Sequence, residues 1–116
     1  INLLAEEMRN TASSKDMALL YQTIVTMNNP VLSKTNRDFL ISLLGNTKHN
    51  DRLNADFPKE IKFYHKTGST SDSSSDAGFF EIGDHHALIL VGLQNFRDFS
   101  SLKTIGGVIA NYFYPQ

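Results

Sequence analysis

The spacing of the apolar residues changes at Glu60, and this change limits the folds that the chain can adopt. Upstream, two segments have apolar residues every three or four positions, as amphipathic helices do; they lie within residues 13–30 and 33–45. Downstream, residues 60–67 alternate apolar and polar residues as a β-strand does, and residues 76–82 and 85–94 are predicted as two more strands. Helical spacing returns over residues 100–113. The order α, α, β, β, β, α predicts an α+β fold with two helices, a three-stranded antiparallel sheet and a C-terminal helix packed on the sheet.

Capping residues place the ends of the first two helices. Ser13, with Asp16 three residues later, has the spacing of a capping box. Ser33 is placed to cap a second helix from Lys34 to Leu44, and Gly45 ends it.

The C-terminal helix has Ser100 as its expected cap. Its predicted apolar side consists of Leu102, Ile105, Val108, Ile109, Tyr112 and Phe113. Gly106 and Gly107 lower helix propensity by about 1 kcal/mol each, a cost that a very close approach of the helix to the sheet would offset.

The strands are expected to have one side in a core. In the first strand that side consists of Ile61, Phe63, His65 and Thr67. A tight hairpin around Gly83 and Asp84 is expected to join the second and third strands. Residues 46–60 are polar and aperiodic, and we interpret them as a connector anchored by Leu53 and Phe57.

Composition excludes several function classes. Eleven basic residues against twelve acidic ones, without a basic stripe, argue against nucleic-acid binding. The absence of cysteine excludes disulfides and thiolate metal sites. No apolar run approaches the roughly 20 residues of a membrane span, and the first ten residues lack the features of a signal peptide. Because the chain starts without methionine inside an apolar segment, we expect it to be a piece of a longer protein.

The histidines do not predict a metal site. They are His49, His65, His85 and His86. No pair has H-x-x-x-H spacing, so polar turn residues explain them better than metal ligands. We therefore expect neither a metal nor another cofactor.

The triplet Lys66-Thr67-Gly68 is the strongest candidate for a site. A lysine at a strand end, followed by hydroxyl residues and a glycine that allows close approach, suits a carboxylate ligand. The alternative is a solvated lysine that leads into the serine-rich turn of residues 69–75.

The pattern around this triplet resembles one family over most of the chain. "NDRLNADFP" is followed at a fixed spacing by "KTG" and then by "SDAGFFEI". This order resembles the C-terminal portion of class A β-lactamases and related penicillin-recognising serine hydrolases, in which K-T-G is one of three motifs. "NTASSKDMALLYQTIV" is similar to the helix that follows the omega loop of that family, and the terminal helix also matches.

The resemblance implies a role for each residue of the triplet and its neighbours. Lys66 would be the cation that attracts the substrate carboxylate, and Thr67 would hydrogen-bond to it. Gly68 would let the acyl group lie against the strand, and the backbone N–H of Ser69 would be one donor of an oxyanion hole. Thr70 and Ser71 would continue the substrate-lining strand edge. The resemblance implies structural roles for Asp51, Arg52 and Asp76.

The sequence also departs from the family pattern. The only S-x-x-K runs from Ser100 to Lys103, downstream of K-T-G, where a helix cap explains it. No serine is followed by asparagine two residues later, so S-D-N is absent. Glu6 could be the general base of an omega loop or a solvated carboxylate, and the alignment places the catalytic glutamate upstream of residue 1. No arginine occurs in the strand after K-T-G, where Ser73 to Ser75 lie.

These matches and departures predict the last part of a two-lobed hydrolase, with residues 1–46 as helical part and residues 60–116 as sheet and terminal helix. Three functions stay open: a β-lactamase fragment, a D-alanyl-D-alanine peptidase or penicillin-binding fragment, and a non-catalytic relative that binds peptidoglycan stems. We expect the chain alone to be inactive, and its ligand to be a β-lactam or a peptidoglycan stem peptide. The exposed edge of residues 86–94 would favour a homodimer or association with a missing N-terminal segment. The resemblance implies a secreted or cell-surface bacterial protein.

Overall fold

The computed structural model describes residues 11–26, 29, 31–84 and 86–114. The elements are α1 (Ser14–Val25), α2 (Lys34–Leu44), β1 (Tyr64–Ser69), β2 (Ser74–Glu81), β3 (Ala87–Gln94) and α3 (Ser100–Phe113). This order confirms the predicted α+β fold with one antiparallel sheet. No described helix combines the length and hydropathy of a membrane span.

The caps of α1 and α2 are those that the sequence predicts. At α1, the Asp16 N–H donates to Ser13 Oγ at 3.1 Å, and the Ser13 N–H donates to Asp16 Oδ2 at 3.0 Å. At α2, Ser33 Oγ accepts the Asn36 N–H at 3.1 Å, and Gly45 is the C-cap. Each helix thus begins where a side chain satisfies an otherwise unpaired N–H.

The sheet has the order β1-β2-β3, with both pairs antiparallel. The first strand begins at Tyr64 and not at residue 60, because the Ile61 N–H bonds to the Pro58 carbonyl at 3.0 Å and the chain turns there. The hairpin between β2 and β3 is confirmed: the Ile82 N–H donates to the His86 carbonyl, and Gly83 adopts a positive φ of 63°.

Both faces of the sheet are covered by other elements. On one face, Ala77 and Phe79 pack with Tyr21 and Ile24 of α1 and with Leu44 of α2. The second core lies on the opposite face and contains the connector and α3; its buried members are Leu53, Phe63, Phe80, Leu90, Leu102 and Ala110. Adjacent residues of one strand therefore serve two different cores, because successive side chains point to opposite faces.

The buried side of α3 differs from the predicted apolar side. It consists of Leu102, Gly106, Gly107 and Ala110, whereas Ile105, Val108, Tyr112 and Phe113 are exposed. A Cβ on Gly106 would lie 1.9 Å from the Leu53 carbonyl oxygen. The glycines therefore allow close approach to the connector, and not to the sheet as predicted.

Ser100 is not the cap of α3. It is the first helical residue, and its N–H donates to Asp98 Oδ1 at 2.9 Å. This bond is the largest cause that lowers the pKa of the Asp98 carboxyl. The carboxylate can reach the unpaired N–H from a position two residues earlier, so it takes the role predicted for Ser100.

Candidate active site

The triplet Lys66-Thr67-Gly68 lies in β1, a strand that pairs with β2 on one side and with no described strand on the other. Lys66 is exposed, and its Nζ donates to the carbonyl of Thr67. Thr67 is buried, and its hydroxyl makes no hydrogen bond to any described residue. A cation and an uncommitted hydroxyl therefore lie in consecutive residues of a free sheet edge.

Arg52 adds a second cation to this edge from the connector. Its Nη1 donates to the carbonyls of Gly68 at 2.8 Å and Ser75 at 3.0 Å. Its Nη2 donates to Ser69 Oγ at 2.8 Å. Two cations thus bond to the carbonyls of adjacent residues, Lys66 to Thr67 and Arg52 to Gly68.

The guanidinium of Arg52 is held in place on several sides. Its Cζ lies 4.0 Å from the ring centroid of Phe99, and its Nε lies 3.5 Å from Asp51 Oδ1. Stacking and a nearby carboxylate offset part of the cost of burying the charge. A guanidinium has five N–H groups, and the bonds to Gly68, Ser69 and Ser75 use three of them. Among the described residues, the buried Nε group and one Nη2 N–H have no hydrogen-bond partner.

The family resemblance implied only a structural role for Arg52, and the strand after K-T-G contains no arginine as a second cation. The available signal was "NDR" itself, because an arginine in a motif of a polar connector is a candidate for a charged site. The contacts of Arg52 could not be predicted, because Arg52 lies 16 residues before Gly68 and 23 residues before Ser75 in the chain.

The structure of the segment after the triplet contradicts part of the predicted site. The strand ends at Ser69, and Thr70 begins a turn in which its N–H donates to the Ser73 carbonyl at 3.1 Å. The Thr70 hydroxyl bonds to Asp72 at 2.9 Å, and Ser71 is exposed in the same turn. Thr70 and Ser71 therefore do not continue the strand edge.

At Gly68, an added Cβ would lie 2.8 Å from Ser75 Oγ, so the missing side chain leaves room for that hydroxyl.

A buried pair lies behind the triplet. His65 and Asp76 are 1% and 0% exposed, and His65 Nδ1 lies 2.7 Å from Asp76 Oδ1. Asp76 Oδ2 accepts the Leu53 N–H at 3.1 Å. Asp76 thus links the connector to the sheet. His65 is a buried strand residue, as its predicted place on the core side of the first strand requires, and not a polar turn residue.

Lys103 of the S-x-x-K sequence contacts a different residue. Lys103 Nζ lies 3.8 Å from Asp56 Oδ1 and so has a partner other than Ser100. No group of three or more potential ligands that could hold a metal occurs among the residues the structure describes. Glu6 and His85 lie outside the described residues.

Comparison with known proteins adds a family and a fold. A family model described as "Beta-lactamase enzyme family" matches residues 2–113. No curated protein sequence matches the chain.

Several solved structures share the fold. PBP-A superposes with a TM-score of 0.78 at 23% identity, over 92% of this chain and 42% of that one. The β-lactamase from Streptomyces albus G gives 0.75 at 23% identity, over 89% and 41%. A β-lactamase from Xanthomonas campestris pv. campestris gives 0.78 at 22% identity, also over 89% and 41%. The chain therefore spans less than half the length of these structures.

Proposed function

The chain belongs to the β-lactamase enzyme family, and from this premise we propose that it supplies the carboxylate-binding half of a serine hydrolase site for β-lactams. The observation that carries the proposal is the pair of cations at the end of β1. Lys66 and Arg52 come from different elements and bond to adjacent carbonyls, beside the uncommitted hydroxyl of Thr67. A carboxylate is the anion that such a group of donors binds best, because each oxygen can accept several hydrogen bonds.

The two cations contribute differently to binding. At 4 Å, two unit charges attract by about 1 kcal/mol in bulk water and by about 4 kcal/mol at the effective dielectric of a protein surface. Lys66 is exposed, so its attraction for a carboxylate is close to the bulk-water value. The side chain of Arg52 is only 7% exposed, so its attraction is closer to the protein-surface value. We therefore assign the salt-sensitive part of the attraction to Lys66 and the salt-resistant part to Arg52.

The proposal gives Ser69 a role through its backbone. Its N–H would donate to the oxygen that becomes negatively charged when an acyl group is attacked, and one such donor contributes about 3 kcal/mol. Gly68 would let the acyl group lie close to the strand. Acyl transfer also needs a serine with a lysine one helical turn later, and Lys103 has Asp56 as a partner. We therefore propose that the nucleophile comes from a segment outside residues 1–116, and that this chain alone is inactive.

A peptidase or penicillin-binding protein fragment is the second candidate. It is favoured by the similarity to PBP-A, a variant of which was solved as an acyl-enzyme with penicillin G. A peptide that ends in D-alanine presents a carboxylate just as a β-lactam does, so the same donors suit both ligands. A non-catalytic relative would bind such stems without reaction. Because peptidoglycan lies outside the cytoplasmic membrane, we also propose a secreted or cell-surface location in bacteria.

The free edge of β3 is the proposed contact for the rest of the protein. Among the described strands, β3 pairs with β2 alone, and Leu93 near its end is 41% exposed. Unpaired edge groups favour the addition of a further strand. A missing N-terminal segment or a second copy of the chain could supply it.

Binding of benzylpenicillin to the 116-residue chain tests the proposal. We expect amide shifts in a ¹⁵N NMR titration to concentrate at residues 66–69, and the apparent Kd to rise about tenfold in Lys66→Ala. Lys59→Ala is the matched control, because Lys59 is an exposed lysine of the connector. Mass spectrometry should detect no covalent adduct with the chain alone.

Two results would contradict the proposal. The first is equal affinity of wild type and Lys66→Ala, and the second is an acyl adduct on the 116-residue chain. For a longer protein that contains this chain, nitrocefin hydrolysis separates a β-lactamase from the other two candidates. Unchanged turnover in the Lys66→Ala variant of that protein would remove Lys66 from the mechanism.

A further inference from the structure

The histidine that precedes the triplet is surrounded by hydrogen-bond acceptors. Nδ1 of His65 lies 2.7 Å from Asp76 Oδ1, and Nε2 lies 3.1 Å from Asn50 Oδ1. The ring is 1% exposed and stacks on Phe63, with centroids 4.6 Å apart. Both ring nitrogens therefore face an oxygen in a site that excludes water.

The orientation of the Asn50 amide is determined by two other bonds. Its Nδ2 donates to the Thr47 carbonyl at 3.0 Å, and its Oδ1 accepts from Asn54 Nδ2 at 2.8 Å. A flipped amide would place its oxygen against the Thr47 carbonyl. A neutral imidazole donates from only one nitrogen, so only the imidazolium form of His65 satisfies both Asp76 and Asn50.

Residues of the connector that precede and follow Arg52 in the chain bond to His65 or to its partner. Asn50 bonds to His65 directly, and Leu53 bonds to Asp76, the partner of His65. The Thr47 hydroxyl also donates to the His65 carbonyl at 2.6 Å. The position of the guanidinium at the end of β1 thus depends on bonds made two residues before it and one residue after it.

We propose that His65 is a positioning residue: as an imidazolium bonded to Asp76 and Asn50, it holds the connector so that Arg52 reaches Gly68 and Ser69. Loss of the ring proton from Nε2 would leave a lone pair facing Asn50 Oδ1, and the repulsion would displace the connector. The inference rests on the proposed function, because it concerns the cation assigned there to the substrate carboxylate.

The other charged and titratable groups near His65 come from β1, β2, the connector and α1. Asp76 of β2 is its ion-pair partner, and Arg52 of the connector and Lys66 of β1 are the nearby cations. From α1, the hydroxyl of Tyr21 donates to the Ala77 carbonyl at 2.6 Å. Burial, followed by the negative charge of Asp76, raises the pKa of Tyr21 to about 12, so this phenol is neutral at neutral pH.

The test is a ligand-free NMR titration of the 116-residue chain. We expect ¹⁵N shifts of the His65 ring to report two protonated nitrogens at neutral pH. As pH rises, the Arg52 Nε–H and Ser69 amide signals should shift with the same midpoint as the His65 ring. The Asn36 amide, at the start of α2, serves as the unaffected reference.

A surface variant keeps the test independent of folding. Asn50 is exposed, and Asn50→Ala removes one acceptor of the imidazolium without touching the core. Because this variant removes a hydrogen bond to the imidazolium, the common midpoint should move down. Asn46→Ala is the matched control, because the Asn46 side chain bonds only to the Ser42 carbonyl and leaves His65 untouched.

Three outcomes would overturn the inference: a neutral His65 ring at neutral pH, Arg52 and Ser69 signals that do not follow the ring, or equal midpoints in Asn50→Ala and wild type. None of these measurements uses a ligand. Failure of benzylpenicillin to bind would therefore count against the proposed function alone, and the positioning of Arg52 would stand or fall by the titration.

Discussion

Gly106→Ala tests how the terminal helix supports the site. A Cβ at this position would lie 1.9 Å from the Leu53 carbonyl oxygen and 2.8 Å from the Leu53 Cα, and real Cβ contacts are not shorter than 3.0 Å. The obstruction is backbone, which cannot rotate away as a side chain could. The helix and the connector must therefore separate by more than 1 Å.

The expected cost follows from three contributions. Overpacking against a rigid neighbour costs about 3 kcal/mol, the upper end of the usual range. The shift also breaks the 3.1 Å bond from the Leu53 N–H to Asp76, which contributes about 1.5 kcal/mol as a bond to a charged group. Replacement of glycine by alanine in a helix recovers about 1 kcal/mol. We expect a net loss of about 3.5 kcal/mol in the free energy of unfolding.

Gly107→Ala is the matched control for the assay. Its Cβ would lie 3.0 Å from the Asp56 Cβ, so a shift of a few tenths of an ångström relieves the contact. Its free energy of unfolding should stay within about 1 kcal/mol of wild type, because the gain in helix propensity offsets the mild crowding. Urea unfolding at neutral pH measures both variants, and an unchanged slope shows that the midpoint reports stability.

NMR shifts at the candidate site provide a second measurement on the Gly106→Ala variant. Because displacement of Leu53 also moves Arg52, folded Gly106→Ala should show altered shifts at Ser69, and Gly107→Ala should not. Equal unfolding midpoints for the two variants would refute the packing argument. A destabilised Gly106→Ala with unchanged Ser69 signals would refute the link between α3 and the site.

Two further predictions concern ionisable groups whose pKa the fold changes. Because the pKa of Tyr21 is raised to about 12 in the folded state and is about 10 in unfolded chains, the unfolded state loses its proton first. The free energy of unfolding should therefore fall by up to about 2 kcal/mol between pH 10 and 12; Tyr21→Phe should abolish this slope in urea titrations, and a slope that persists would contradict it. The pKa of Asp98 is lowered by its bond to the Ser100 N–H, so its contribution should be present at neutral pH and lost as pH falls below the usual range of the carboxyl. Thermal unfolding should show that Asp98→Ala is less stable than wild type while Ser100→Ala is not, and the reverse order would restore Ser100 as the cap.

Local signals account for the elements that were predicted correctly. The capping box at Ser13 and the cap at Ser33 act within three residues, so their geometry can be read from the sequence. The turn at Gly83 needs a positive φ that glycine adopts without strain, and this too is a local property.

The errors occurred where distant segments compete for the same surface. The apolar stripe of α3 predicts that Val108 and Tyr112 are buried, but the helix turns Gly106 and Ala110 inward. Packing explains this choice, because only small residues allow the helix axis to approach the Leu53 backbone. The pattern of apolar residues contains no information about how close a neighbour lies.

Residues close together in the chain specify the order of the elements, the caps of α1 and α2, and the position of Lys66-Thr67-Gly68 on a strand, so these features are predictable from sequence. Packing of distant segments brings Arg52 to Lys66 at the end of β1, and it buries His65 and Asp76 together behind them. The contacts of Arg52 join the connector to strands 16 to 23 residues away, and the His65–Asp76 contact joins two strands across 11 residues. They form because a buried guanidinium and a buried carboxylate must find hydrogen-bond partners wherever the packed chain provides them.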